Sequence, residues 1–146
     1  MLNIILFLLL VAGLHAQLEI QIEGSRAGWA HRLPCWRIEN KWTKMLLGKE
    51  LTGYHFYLII LFLVIFHGIF LFKAWNFSSE ISVLGWFCWY WVVEDIFWFI
   101  ENKNYGLRSF KKGRIFWHKR WCLGLPVSYW YVIISGTLLI ALGSLK

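Results

Sequence analysis

The sequence predicts an all-α polytopic membrane protein, a bundle of about four transmembrane helices with a cap of basic, aromatic loops, and three observations predict it. Apolar residues make up 59% of the chain and charged ones only 16%, far from the half-and-quarter balance of water-soluble domains. Four apolar stretches, about 2–16, 54–72, 81–100 and 127–142, approach the roughly 20 residues that cross hydrocarbon. Thirteen of the 15 Lys and Arg lie in just two connections, 17–53 and 101–126. With 146 residues, four crossings leave no room for a separate soluble domain, so 1–146 reads as one membrane domain.

The first stretch ends in Leu14-His15-Ala16-Gln17, which has the small residue of a signal-peptide cleavage site. Its leading Met1-Leu2-Asn3 carries no Lys or Arg, so an uncleaved first span is the expectation. Leu18-Glu19-Ile20-Gln21-Ile22-Glu23 alternates apolar with polar, which suits a short strand, although continuing helix looks similar over so few residues. After Pro34, the spacing of Ile38, Trp42, Met45 and Leu46 predicts a helix, lying in the membrane surface or packed on neighbouring loops.

The second stretch is Leu, Ile, Phe and Val broken only by His67 and Gly68, and the third is rich in Trp and holds the adjacent acids Glu94 and Asp95. The fourth follows Pro126, and its Ser135-Gly136-Thr137 and Gly143-Ser144 offer a small-residue surface for a close helix. Backbone groups in lipid must be paired within their own segment, so all four are expected to be helices. With 11 Trp, 12 Phe and 6 Tyr, rings are too many for interfacial belts and must also fill helix contacts. With four spans, 17–53 and 101–126 share one face. The positive-inside rule makes that face cytoplasmic at the plasma (inner) membrane, with both termini outside.

Cys35, Cys88 and Cys122 are odd in number and lack C-x-x-C spacing, so they read as reduced thiols rather than a disulfide framework or zinc knuckle. The net charge of +7 belongs beside spans as a topology signal and a contact for anionic lipid, and no nucleic-acid partner is expected. Within 101–126, Asn104-Tyr105-Gly106 predicts a turn, and Arg108, Lys111, Lys112, Arg114, Lys119 and Arg120 suit lipid head groups.

Carboxylates inside a span are costly, which makes Glu94 and Asp95 the leading candidates for chemistry. Glu101 returns to the face of Glu94, and Asn102 to that of Asp95, one heptad nearer the cap. His55 begins the second stretch at the same level, and His118 lies in Trp117-His118-Lys119-Arg120-Trp121. Glu94, Asp95, His55 and His118 therefore form the candidate catalytic or metal-binding set. Structural pairing of the acids with Arg or Lys stands first among the readings, then an acid–base or metal site, then proton or ion passage. No E-x-x-H, H-E-x-x-H or H-x-x-x-H spacing adds specificity. His67 lies at another depth and is expected to bond a neighbour.

Glu19-Ile20-Gln21-Ile22-Glu23-Gly24, Gly28-Trp29 with Leu33-Pro34, Leu51-Thr52-Gly53-Tyr54-His55, Glu94-Asp95 with Trp98-Phe99, and Trp117-His118 together resemble a group of small prokaryotic integral membrane proteins with no assigned activity. The resemblance implies the membrane class and no catalytic residue. The expected role is a non-catalytic subunit or packing partner of a larger membrane assembly, with other membrane subunits or further copies, the bilayer and anionic lipids as partners. The alternatives are a small membrane enzyme, metal-dependent in one form, acting on a lipid-like substrate at the cytoplasmic boundary, and a component of a proton or ion pathway. No particular cofactor follows from the residues.

Overall fold

The computed structural model describes residues 2–26 and 28–145. It is mostly helical. Four helices are long and apolar enough to cross a membrane: α1 (Leu2–Glu23), α3 (Gly53–His67, prolonged to Leu71 by a 3-10 turn), α4 (Phe77–Glu101) and α5 (Val127–Ser144). A short α2 (Lys41–Leu46) and two two-residue hairpins, β1 (Arg37–Ile38) with β2 (Leu51–Thr52) and β3 (Trp121–Cys122) with β4 (Leu125–Pro126), build the cap.

Helix α1 corrects the expected strand at Leu18–Glu23: the helix runs unbroken from the apolar stretch to Glu23. In hydrocarbon a strand without neighbours leaves its backbone groups unpaired, whereas helix pairs them locally. The helix predicted after Pro34 is also shorter than expected. Asn40 accepts from the backbone N–H of Trp42 and Thr43 and starts α2 there, so Ile38 falls into β1 instead. Trp42 and Met45 stay exposed on α2.

Helix α4 is the hub, touching α1, α3 and α5. The small-residue surface of α5 meets α4 of the same chain. A Cβ added at Gly136 would lie 2.9 Å from Cys88 Cβ, and one at Gly143 would lie 2.6 Å from the Ser78 carbonyl, so neither position has room for a side chain. Two apolar clusters follow: Leu8, Ala12, Phe62 and Tyr90 in mid-bundle, and Ala16, Ile20, Trp98, Phe99, Ile115 and Trp117 toward the cap. Outward-facing Leu, Ile and Phe on the four helices remain exposed, as a lipid-facing surface requires.

The cap closes over the ends of α1, α3 and α4. Gly28 lies against the Trp117 indole, where a Cβ would come within 2.5 Å of the ring. Trp29 and Ala30 both adopt left-handed backbone (φ 58° and 49°), a strained state that persists only where surrounding contacts hold it. Those contacts end on buried acids and a buried histidine.

Candidate functional site

On α1, His15, Glu19 and Glu23 are four residues apart and share one face. All three are buried, as are His55 at the first turn of α3 and Glu94 of α4, which is 1% exposed. Two overlapping sets result: His15, Glu19 and Glu94, and Glu19, Glu23 and His55. Within each set the three potential ligand atoms all lie within 4.8 Å of one another. Glu19 belongs to both. His55 Nε2 is 3.4 Å from Glu19 Oε1 and 3.6 Å from Glu23 Oε1, and His15 Nδ1 is 3.9 Å from Glu94 Oε1.

Three of these residues, His55, Glu23 and His15, are held by neighbours. Thr52 caps α3 by accepting from the His55 backbone N–H, and its hydroxyl shares a 2.7 Å hydrogen bond with His55 Nδ1, aiming Nε2 at the acids. Trp29 stacks on the His55 ring at 3.7 Å between centroids and donates its indole N–H to the Glu50 carbonyl. The left-handed turn next to it lets Ala30 donate its N–H to Glu23 Oε1 at 2.6 Å. Arg37 ties that turn to the hairpin by donating to the Ala30 carbonyl and to Glu50. Tyr90 shares a 2.9 Å hydrogen bond with His15 Nδ1.

Three carboxyl groups in one buried space must be neutralised, by protons or by compensating positive charge. Among the described residues no Lys or Arg comes within ion-pair distance of Glu19, Glu23 or Glu94. Beyond that distance Lys49 is one cation whose charge reaches Glu19 and Glu23, and its ammonium lies over the Trp29 ring, 3.1 Å from its centroid. Burial pushes Lys49 down to about 8, against the opposing pull of Asp95, Glu19, Glu23 and Glu94. Glu94 Oε1 and His15 Nε2 are buried with no hydrogen-bond partner, and such groups call for an unfilled role.

The four sequence candidates do not form one centre. Glu94 and His55 join the α1 residues, one in each set. Asp95, turned about 100° from Glu94 around the helix, faces α5 and accepts from the Tyr129 hydroxyl at 2.5 Å. His118 is buried beside Tyr129, ring centroids 5.2 Å apart. Burial, with the Lys49 charge behind it, pushes the His118 imidazole down to about 2, so it is neutral, and its Nε2 has no partner. Asn102 receives the N–H groups of Asn104 and Tyr105 and so shapes the predicted turn, while Glu101 lies against Gly13. At the other end of the bundle His67 bonds Glu80 at 2.8 Å, with Trp75 donating to the same carboxylate.

His15, Glu19 and Glu23 were not among the candidates. The signal was present as H-x-x-x-E-x-x-x-E, but reading Leu18–Glu23 as a strand broke the chain after His15 and hid the helical face that joins it to Glu19 and Glu23. The six basic head-group candidates, Arg108, Lys111, Lys112, Arg114, Lys119 and Arg120, are all exposed on the cap. Compared with protein-family models, curated proteins and solved structures, the chain finds no match.

Proposed function

We propose that the chain is a small metal-dependent membrane enzyme whose centre lies at the membrane boundary beneath the cap and whose substrate is lipid-like. The observation that carries this reading is the pair of buried ligand sets joined through Glu19. Carboxylate and imidazole together suit zinc, manganese or iron. Glu19 with His15 and Glu94, or with Glu23 and His55, would hold such an ion, and its charge would offset the buried acids. Bound there, a divalent ion would supply a polarising centre and an activated water. Thr52 orients the His55 imidazole and Tyr90 holds that of His15, while the Asp95–Tyr129 pair, with the neutral His118 beside it, lies about a quarter-turn around α4.

The test is metal analysis of protein purified in mild detergent without chelator. Near-stoichiometric divalent metal, lost in Glu19→Gln, is the expected result. A metal-free chain that co-purifies with fixed partners overturns the reading in favour of a subunit role.

The same reading places the cap in the cytoplasm, supported by thirteen cationic residues in its two loops. Cys122 is an exposed free thiol on β3. A membrane-impermeant maleimide added to intact cells should leave it unlabelled until the cells are opened. Labelling in intact cells reverses the orientation.

A further inference from the structure

Between α2 and the start of α5 the cap holds a cavity of about 210 Å³, lined by Lys44, Trp117, His118, Lys119, Arg120 and Ser128 among others. Three independent features give it the chemistry of a phosphate site. First, helix α5 is 18 residues long and no side chain caps its N-terminus. Val127 spends its N–H on the Arg120 carbonyl, which leaves the next amides of the first turn and the positive end of the helix dipole toward Ser128. Second, Lys119 and Arg120 form no ion pair among the described residues, whereas Lys44 shares its charge with Glu39 at 3.1 Å. Third, the inner wall is rigid: His118, only 6% exposed, lines the cavity beside the buried Trp117.

The cavity is not a site for a free ion alone, because one side of it is apolar. Met45, Leu47, Val127 and Tyr131 complete the wall. Tyr131 is 66% exposed and begins a row with Ile134, Leu138 and Leu142, all exposed and spaced to lie along one face of α5. That row descends from the cavity along the membrane-facing helix, as an acyl chain would.

We propose that this cavity binds the phosphate of an anionic phospholipid, with Lys119, Arg120, the α5 N-terminus and His118 around the head group and the acyl chain along Tyr131, Ile134, Leu138 and Leu142. As a substrate class for the buried centre this rests on the function proposed above; as a binding site it does not. From the cavity, His118 leads by way of Tyr129 to Asp95, the neighbour of Glu94.

Native mass spectrometry of the full chain in detergent tests it, with phosphatidylglycerol and phosphatidylcholine as probes. A one-lipid adduct with phosphatidylglycerol, at least about fivefold favoured over phosphatidylcholine, is expected. Lys119→Gln with Arg120→Gln should weaken it by more than about tenfold. Arg108→Gln with Arg114→Gln removes the same charge outside the cavity and should leave the adduct within about twofold. Equal losses in the two double variants, or no preference for the anionic lipid, overturn the proposal in favour of diffuse charge attraction. Competition by inorganic phosphate at concentrations matching the lipid assigns the site to a free ion and likewise overturns it. Metal content is measured on the same samples. Lipid binding without metal sinks the enzyme reading and spares this site, while metal without lipid binding does the reverse.

Discussion

The two ends of the bundle pair acids with histidines in opposite ways. At the far end, His67 and Glu80 meet at 2.8 Å in a half-open setting, and Trp75 completes the carboxylate. That contact is self-sufficient. Beneath the cap, His15, Glu19, Glu23, His55 and Glu94 are all buried, no histidine–carboxylate distance is below 3.4 Å, and Glu94 Oε1 lacks any partner. Close contact and exposure mark a finished interaction; burial without close partners marks acids whose charge must be met by protons or by a cation. Identical residue types thus give different functional readings, and burial with unmet valence is the discriminant.

The largest effect that would break this contrast is at Glu19. Because it serves both ligand sets, Glu19→Gln should reduce divalent-metal affinity by roughly 100-fold or more, a ligand counting for at least as much as the partners that orient it. Equilibrium dialysis against zinc or manganese measures this, and unaltered affinity ends the idea of a shared carboxylate. Next is Gly28→Ala. Its Cβ would come within 2.5 Å of the Trp117 ring, and relief of that overlap should cost about 1–3 kcal/mol. Because Trp29 and Ala30 follow directly, the clamp on His55 and Glu23 should loosen too. Thermal unfolding in detergent and metal content should fall together in this variant; stability lost with metal fully retained would show that the turn does not position the ligands.

How far the sequence disclosed this contrast depends on which physical signal each part used. The four spans were legible because hydrocarbon imposes a length and a composition that Leu, Ile and Phe announce directly. Glu94 and His55 were legible because ionisable groups in such stretches stand out. His15, Glu19 and Glu23 of α1 were not, since six residues carry a period of two and a period of 3.6 almost equally well, and only the lipid environment decides for helix. The separate partners of Glu94 and Asp95 were hidden for a related reason: neighbours in sequence are a quarter-turn apart in a helix, and which one meets α1 and which α5 depends on where those helices pack. The roles of Thr52, Trp29 and Ala30 were hidden because they act through a cap and a left-handed turn that no periodicity encodes.

A smaller effect sharpens the electrostatics beneath the cap. Lys49 has a folded-state value of about 8 against the 10.5 of an unperturbed lysine, so the fold disfavours its charged form. Its penalty is fully present below pH 8 and is relieved as pH rises from about 8 to 10.5, where the unfolded chain holds the proton more tightly; stability should therefore increase with pH across that window. Lys49→Met should remove this slope and, at neutral pH, raise stability by about 1 kcal/mol, after allowance for partial solvent exposure. Unfolding followed by circular dichroism at several pH values, variant against parent, isolates the contribution. A variant less stable than the parent at neutral pH would mean instead that the ammonium is the cation the acids require.

The smallest effect belongs to the far end, and its smallness is informative. His67→Gln removes the imidazole that bonds Glu80 and the Leu63 carbonyl, but Glu80 keeps the Trp75 indole and access to solvent. An exposed pair of this kind contributes little, so unfolding temperature should move by no more than replicate scatter and metal content should not change. Loss of bound metal in His67→Gln would put a ligand at the wrong end of the bundle. The contrast between the finished pair and the unfinished cluster would then fail, since a closed, solvent-screened contact would be holding the ion proposed for the buried cluster beneath the cap.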